Sequence, residues 1–244
     1  MAPKSLYLAA LSLAVANAAD PSCAPGGNFD LTSWSLQLPT GDGSMDTIKS
    51  GDLQGCDGYT DDHFYTDESS GAMVLSAPGN PDETGCVTSG GSKHCRTELR
   101  EVDPDTGKNA NWSPKGTNVL KVTMTVVTAD DGSHGTAIGQ VFATKPLAEM
   151  YYSREGKIVV GVKPDEDSGQ KITELGQVDV GTEFDYEMEY SNDVLSITIN
   201  GDRTELDTYE WDSPDCYFKA GNYNQGKSGD ESEVHISALE ITHE

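Results

Sequence analysis

Residues 217–225 read YFKAGNYNQ, a stretch that would form a strand with an unusually polar face. Side chains alternate between the two faces of a strand, so every second residue shares one side. That side carries Tyr217, Lys219, Gly221, Tyr223 and Gln225. In a hydrophobic core each of these polar groups would need a buried partner, so this face predicts a groove that binds a polar ligand.

Tyr223 is the candidate proton-transfer residue of this groove. Lys219 lies two strand positions from Tyr217 and four from Tyr223, on the same face of the predicted strand. A nearby positive charge lowers the pKa of a phenol from its reference of about 10. We therefore expect the Lys219 ammonium to favour the phenolate form of both tyrosines.

The rest of the chain predicts an all-β protein. Strand patterns separated by turn residues recur throughout, whereas helical periodicity is limited to one possible short turn at 45–53. Asn200-Gly201, after a run of alternating apolar residues, is a strong signal for a two-residue hairpin. The pattern favours two packed antiparallel sheets, a β-jelly roll or sandwich of the concanavalin-like type. The predicted strands are 35–38, 72–76, 96–102, 118–128, 136–143, 157–162, 184–190, 194–199, 217–223 and 233–241.

The first eighteen residues have the pattern of a secretory signal peptide. Lys4 precedes an apolar run at 5–15, and Ala16-Asn17-Ala18 has the small-residue pattern of a cleavage site. No linker or repeat divides residues 19–244, so we expect a single domain there and an extracellular protein.

Five cysteines follow the predicted leader. In an exported protein they favour disulfides, with one cysteine left over. Cys86–Cys95 is the preferred pair, whereas pairing among Cys23, Cys56 and Cys216 stays open. A zinc site is the weaker interpretation, because the spacing of metal-binding motifs is missing.

The formal net charge of −25 argues against nucleic acid and anionic membranes as partners. An acidic surface is common in secreted proteins. If the ligand is itself an anion, the 16 Lys and Arg residues must make the groove locally positive. We expect a monomer.

Two further predicted strands carry polar residues on one face. In the run RTELRE at 96–101, Arg96, Glu98 and Arg100 share a side. This row is either an exposed set of ion pairs of little energetic value or an oriented cationic site that binds carboxylate. In GQVFA at 139–143, Gln140 and Phe142 point the same way.

Together the three strands could supply groups that converge on a carboxylate and the proton next to it. This combination suits β-elimination in a polymer of uronic acids. Arg96 and Gln140 would donate hydrogen bonds to the sugar carboxylate and stabilise the enolate-like intermediate. Tyr223 would remove the C5 proton and return a proton to the leaving O4 oxygen. Neither a cofactor nor a metal is required by this scheme.

These motifs resemble those of the alginate lyases of polysaccharide lyase family seven. The similarity extends to LTSWSLQLP at 31–39, HFYTD at 63–67 and GAMVLSAP at 71–78, and so covers nearly all of the chain after the leader. The resemblance implies a jelly roll with a catalytic cleft across one sheet. It assigns carboxylate binding to Arg96 and Gln140 and proton transfer to Tyr223. It implies supporting or substrate-binding roles for Glu98, Arg100, Lys219, Tyr217, Gln225 and Phe142.

Phe142 is a departure from the family pattern, which has Gln-x-His where this chain has Gln140-Val141-Phe142. The family assigns that histidine to carboxylate neutralisation and, for guluronate, to the base role opposite the tyrosine. In mannuronate the C5 proton and O4 lie on the same side, so one tyrosine can serve both. The chain is therefore predicted to favour mannuronan, with glucuronan as the alternative, since glucuronate shares this arrangement. Another histidine could instead fill the gap, and the candidates are His63, His94 and His134.

Two other classes of function compete with the lyase prediction. Glu183, Asp185 and Glu187 have the E-x-D-x-E spacing of some jelly-roll glucanases, but they could equally be the solvent face of a strand. A carbohydrate-binding module that has lost catalysis is the non-enzymatic alternative. The acidic runs at 61–62 and 165–167 are more typical of solvated turns than of calcium sites.

Overall fold

The computed structural model describes residues 19–244, so the predicted leader at 1–18 lies outside the described residues. Within them the chain forms three short helices, α1 (Pro25–Asn28), α2 (Ser50–Leu53) and α3 (Pro81–Thr84). None of the helices in this part of the chain has the length and apolar character needed to cross a membrane. The strands of the same residues are β1 (Trp34–Gln37), β2 (Thr47–Ile48), β3 (Phe64–Thr66), β4 (Met73–Ala77), β5 (Arg96–Glu101), β6 (Asn118–Thr128), β7 (Thr136–Phe142), β8 (Pro146–Tyr152), β9 (Lys157–Val162), β10 (Lys171–Gln177), β11 (Glu183–Ser191), β12 (Val194–Ile199), β13 (Asp202–Leu206), β14 (Tyr217–Tyr223) and β15 (Ser232–His243).

The strands form two antiparallel sheets, as the sequence predicts. The eight-stranded site sheet has the order β10-β9-β8-β7-β14-β5-β1-β2. The seven-stranded second sheet has the order β13-β12-β11-β6-β15-β4-β3. Many neighbours in each sheet are distant in sequence, so the connections cross between the sheets in the manner of a jelly roll. The predicted fold class is confirmed.

The core lies between the two sheets, and strand alternation decides which residues enter it. On β11, Phe184, Tyr186, Met188 and Tyr190 are buried, while the acidic residues between them face outward. The Tyr186 hydroxyl donates a 2.9 Å hydrogen bond to the carbonyl of Ile138 on β7 and so links the sheets. Apolar burial of this kind stabilises the sandwich by roughly 25 cal/mol per Å².

Most predicted strands are present with small shifts at their ends. The predicted hairpin at Asn200-Gly201 is also confirmed, since both residues have positive φ (49° and 92°) and join β12 to β13. Five strands were not predicted, because they are short or their polar and apolar residues do not alternate regularly. β10 and β13 are polar edge strands, which avoid apolar patterns because an exposed apolar edge would aggregate. β2 and β3 have only two and three residues, and β8 begins at Pro146.

Two disulfides cross-link loop residues of the described chain. The predicted Cys86–Cys95 pair is formed, and the open choice is settled by a Cys23–Cys56 pair. Cys216 is a buried free thiol.

Candidate active site

The three polar strands lie side by side in the site sheet, with β14 between β5 and β7. On β14, Lys219 pairs with Arg100 on one side and with Gln140 on the other. Tyr223 pairs with Arg96. The pairing of the three strands therefore places their polar side chains next to one another in the sheet. Alternation within each strand predicts the face of each side chain but not this proximity.

These side chains line a cleft of about 690 Å³ on the outer face of the site sheet. Its walls come from five strands and from the loops that flank them. The lining residues are Gln37, Ser89, Gly90, Gly91, Ser92, Arg96, Arg100, Gln140, Phe142, Thr144, Lys145, Pro146, Glu149, Lys163, Tyr217, Lys219 and Tyr223.

Gly221 lies on β14 between the cleft residues Lys219 and Tyr223. Its φ is 136°, and the pairing of β14 with β7 is irregular between Ala220 and Tyr223. A Cβ atom here would lie 2.9 Å from the Thr97 carbonyl oxygen, so only glycine fits. The irregularity is a β-bulge that adds one residue of β14 relative to β7, while the pairing of β14 with β5 stays regular through Tyr223.

Glu98 is the centre of a buried polar network. Its carboxylate accepts hydrogen bonds from Arg96 Nη1 at 2.9 Å, from Lys219 Nζ at 2.8 Å and from the Gln140 amide. Burial alone would raise the pKa of Glu98, but the charges of Lys219 and Arg96 outweigh burial and hold it below its ordinary value. Glu98 thus orients three side chains of the cleft and remains ionised.

Lys219 is almost completely buried beneath the cleft. Its ammonium group contacts Glu98 and also donates to Gln37 Oε1 at 3.1 Å. Burial lowers the pKa of Lys219 to about 8, because the attraction of Glu98 only partly offsets desolvation and the nearby Arg96. The positive charge beneath the cleft is therefore sensitive to mildly alkaline pH.

Tyr223 is fixed from three directions. Its hydroxyl lies 2.9 Å from Ser92 Oγ, and the Arg96 guanidinium stacks 3.7 Å from the centre of its ring. The ring also packs on a small apolar cluster of Ala137, Tyr151 and Val159. Ser92 accepts a second contact from Arg96 Nη2 at 3.2 Å, so one hydroxyl joins the phenol to the guanidinium.

Tyr217 and Phe142 form the other end of the cleft. Their rings stack with centroids 5.1 Å apart, and the Arg100 guanidinium lies 4.5 Å from the Tyr217 ring. Burial raises the pKa of Tyr217 to about 12. The expectation that a neighbouring ammonium favours phenolate at Tyr217 is therefore wrong, because desolvation outweighs the nearby positive charges.

Arg96 and Arg100 both keep donors that no described residue satisfies. Their Nε–H groups are buried without a hydrogen-bond partner among residues 19–244. An unpaired charged donor is costly in a protein, and such groups cluster at binding sites. Arg100 also forms no ion pair in the described part of the chain.

Gln225, predicted to share the face of Tyr223, lies beyond the end of β14 and does not line the cleft. Its side-chain amide donates back to the Tyr223 carbonyl at 3.3 Å, while its backbone N–H binds Asp130. The prediction for Gln225 is wrong because the strand ends at Tyr223, so the alternation of side chains does not extend to residue 225.

The three alternative histidines occupy different places. His94 meets the Tyr223 ring edge-on, with centroids 6.0 Å apart, and is half-buried outside the lining of the cleft. His134 packs 5.8 Å from the Tyr151 ring. His63 contacts Ser76 Oγ at the second sheet. None of the three lies at the position two residues after Gln140 on β7, where Phe142 carries a phenyl ring instead of an imidazole.

The carboxylates of the rival hydrolase prediction lie on the second sheet, away from the cleft. Asp185 accepts a hydrogen bond from Thr123, Glu187 pairs with Lys121 at 3.2 Å and Glu183 accepts from Ser237. They form the solvent face of β11.

Ten of the lining residues were not predicted as site residues, among them Gln37, Ser92, Glu149 and Lys163. Gln37 lies inside the predicted strand 35–38, and its alternation with the apolar residues Leu36 and Leu38 is a signal that could have indicated it. Ser92 lies in a loop of small residues closed by the Cys86–Cys95 disulfide, and a loop pattern does not indicate what its side chains touch. Glu149 lies on β8, which was not predicted.

Comparison with known proteins agrees with this geometry. A family model described as alginate lyase matches residues 29–243. The fold superposes on the crystal structure of alginate lyase A1-II', a member of polysaccharide lyase family 7, with a TM-score of 0.78 and 31% identity over 90% of this chain and 98% of that one. A variant of A1-II' in complex with a substrate (GGMG) matches with a TM-score of 0.78 and 30% identity over 91% of this chain and 97% of that one. The alginate lyase PA1167 from Pseudomonas aeruginosa matches with a TM-score of 0.77 and 25% identity over 88% and 100% of the two chains.

A local sequence match points the same way. Over 82 residues the chain is 39% identical to an alginate lyase of Klebsiella pneumoniae. The match covers 32% of this chain, and it spans about a quarter (25%) of that curated relative. Since the family model covers nearly all described residues, the chain belongs to the alginate lyase family of polysaccharide lyases.

Proposed function

We propose that this protein cleaves alginate by β-elimination, with a preference for mannuronate, and that Tyr223 acts as both base and acid. The observation that carries the proposal is the placement of the Tyr223 phenol in one cleft with Arg96, Gln140 and Lys219. No carboxylate pair suited to hydrolysis lines this cleft among the described residues, since Glu98 is locked in its ion pairs.

Arg96 and Gln140 would neutralise the carboxylate of the reacting sugar. Arg96 uses one Nη atom for Glu98 and the other for Ser92, and its Nε–H has no partner in the described chain. The Gln140 amide gives one of its two N–H groups to Glu98, which leaves the other for a ligand. Hydrogen bonds to the carboxylate stabilise negative charge as it develops in the transition state.

Tyr223 would take the C5 proton and deliver a proton to O4. The Arg96 guanidinium on the ring face and the Ser92 hydroxyl at the phenol oxygen hold the phenol in position for both proton transfers. In mannuronate both reacting positions lie on one side of the sugar, so a single phenol can reach them in turn. Guluronate needs a base on the opposite side, and Phe142 cannot supply it.

A substrate panel tests this proposal. Polymannuronate, polyguluronate and glucuronan are incubated with the enzyme, and the ultraviolet absorbance of the unsaturated product is followed. We expect the highest rate on polymannuronate. Reducing ends without a new double bond would indicate hydrolysis instead, and the highest rate on glucuronan would shift the substrate class to that polymer.

The Phe142→His variant tests the stereochemical part. An imidazole at this position should add or raise cleavage of polyguluronate, because it restores a base on the second side of the sugar. The measurement is the ratio of initial rates on the two polymers for variant and wild type. An unchanged ratio would count against the role given to Phe142.

We also propose that the protein acts outside the cell. Two disulfides among the described residues support this, because such bonds persist in oxidising compartments. A polymeric substrate is also reached most directly by an exported enzyme.

A further inference from the structure

Glu149 is a buried carboxyl group in the cleft that the proposed reaction does not use. It lies on β8 directly opposite Gln140 of β7, lines the cleft and is 8% exposed. Within residues 19–244 no Lys, Arg or His forms an ion pair with it. An ionised carboxylate without a positively charged partner would repel a polyanionic ligand from the cleft.

The partners of Glu149 are neutral and form a closed triangle. Glu149 Oε2 contacts the Gln170 amide and, at 3.1 Å, the Tyr151 hydroxyl. The Tyr151 hydroxyl also lies 3.0 Å from Gln170 Oε1. Gly161 on β9 makes this possible, because a Cβ atom there would lie 2.2 Å from the Gln170 amide oxygen.

The triangle has three contacts and therefore needs three hydrogens. The Gln170 amide supplies one and the Tyr151 phenol, which carries a single hydrogen, supplies a second. The third contact joins two oxygen atoms, and only a protonated Glu149 can supply its hydrogen. Exchanging the nitrogen and oxygen of the Gln170 amide leaves this count unchanged.

The electrostatic surroundings favour the same protonation state. Burial raises the pKa of Glu149, the Tyr151 hydrogen bond opposes burial, and the nearby carboxylate of Glu98 raises the pKa further. The more distant Lys219 and Arg96 oppose this rise without cancelling it. The titratable and charged groups around Glu149 on the neighbouring elements are Arg96, Glu98, His134, Tyr151, Lys163, Lys219 and Tyr223.

We propose that Gln170 and Tyr151 hold Glu149 as a neutral carboxylic acid, and that its free Oε1 accepts a hydrogen bond from a sugar hydroxyl beside the reacting uronate. This rests on the proposed function for the identity of the ligand. Oε1 has no partner among the described residues, and the acid proton is used by Tyr151. The free oxygen can then only accept, so it fits a hydroxyl and not a uronate carboxylate.

Raised pH breaks this arrangement. When Glu149 loses its proton, the triangle loses one contact and a negative charge is added beside the polyanion. Ligand affinity therefore falls as pH rises through the raised pKa of Glu149. The Glu149→Gln variant keeps a neutral side chain of the same shape at every pH.

Infrared difference spectroscopy tests the protonation state without any ligand. The spectrum of the wild type minus that of Glu149→Gln at neutral pH should contain the carbonyl band of a buried carboxylic acid. The subtraction removes the bands of every other carboxyl group, including Asp130, whose pKa burial also raises. A carboxylate band in place of the acid band would overturn the proposal, whatever the substrate.

Binding of a mannuronate tetrasaccharide tests the hydroxyl subsite. Dissociation constants are measured by calorimetry for Tyr223→Phe, which prevents turnover, and for Tyr223→Phe combined with Glu149→Gln. The ratio of the two constants should be near one at a pH where Glu149 keeps its proton. It should reach about tenfold, with weaker binding by the protein that keeps Glu149, once the pH has been raised through the pKa of Glu149. Titration of Lys219 affects both proteins equally and cancels in the ratio.

A ratio that does not change with pH overturns the subsite. Glu205→Gln, at an exposed ion pair with Arg203 on β13, is the control and should leave the constants unchanged. Failure of the proposed function is recognised separately, as the absence of unsaturated product from the wild type on every polymer of the substrate panel.

Discussion

Glu98 shows how single residues give an acidic protein a cationic cleft. Arg96, Arg100 and Lys219 lie around one ionised carboxylate, so positive charge is in excess beneath the cleft. Removing one member of a buried ion pair costs about 3–5 kcal/mol, because the remaining charge is stranded. The network therefore fixes geometry as much as it contributes charge.

Lys219 should set the alkaline limit of activity. Its pKa is lowered to about 8, so its positive charge is present below that pH and is lost as pH rises through it. We expect kcat/KM on polymannuronate to fall through this range in the wild type. In Lys219→Arg the fall should become clearly smaller, because guanidinium stays charged to above about pH 12 and only the loss of the Glu149 proton still weakens binding.

The pH profile of kcat/KM reports groups of the free enzyme, which makes it the suitable measurement. Profiles are recorded for both proteins with the same polymer and at constant ionic strength. The same decline near this pH in Lys219→Arg would assign the limit to another group.

Strand alternation indicated the polar residues at the centre of the site. Arg96, Glu98, Gln140, Lys219 and Tyr223 each stand in a short run whose polar face is visible in the sequence. Ser92 and Glu149 could not be predicted this way. Ser92 reaches Tyr223 through the path of a loop, and the state of Glu149 depends on Gln170, which is far from it in sequence.

At the level of elements, the loop at 87–94 is part of the cleft wall and is anchored by its own disulfide. Ser89, Gly90, Gly91 and Ser92 line the cleft, and Ser92 contacts the Tyr223 hydroxyl. Cys95 immediately precedes Arg96, so the disulfide fixes the loop next to the start of β5.

The two disulfides should differ in their effect on activity. Replacing Cys86 and Cys95 by alanine should cost about 2–3 kcal/mol of stability and should also lower kcat, because Ser92 loses its fixed position. Replacing Cys23 and Cys56 should cost stability to a similar or greater extent, since the closed loop is longer, but should leave kcat near the wild-type value.

Urea unfolding and initial rates are measured for both double variants, at a temperature where each is fully folded. The Cys23–Cys56 variant is the matched control for lost stability. Equal losses of kcat in the two variants would show that the loop does not position the phenol.

Elements with regular alternation were predictable and polar edge elements were not. β6, β9, β12 and β14 have the predicted bounds, because each carries a clear run of apolar or alternating residues. β10 and β13 carry charged residues on exposed edges, so composition alone does not separate them from loops. Tertiary pairing decides their structure.

For the whole molecule, the main physical conflict is a formal net charge of −25 on a protein proposed to bind a polyanion. The cleft is positive over a short range, whereas the surrounding surface repels the polymer over a longer range. The screening length is about 30 Å at 0.01 M salt and about 8 Å at 0.15 M, so salt removes the long-range repulsion first.

Moderate salt should therefore accelerate the enzyme. We expect kcat/KM on polymannuronate to rise a few-fold between about 0.01 M and about 0.15 M sodium chloride, because approach of the polymer is less opposed. A short oligosaccharide, which carries fewer charges, should respond less. A steady fall in kcat/KM across this range would mean that the positive cleft dominates association.

The most direct test of the account is the rate of the Tyr223→Phe variant on polymannuronate, followed by the absorbance of the unsaturated product. The variant keeps the ring that packs on Ala137, Tyr151 and Val159, so its circular dichroism and unfolding midpoint should stay close to those of the wild type. The account predicts a loss of at least about 10²–10⁴-fold in kcat, because both proton transfers use the missing hydroxyl. Turnover by the folded variant at the wild-type rate would contradict it.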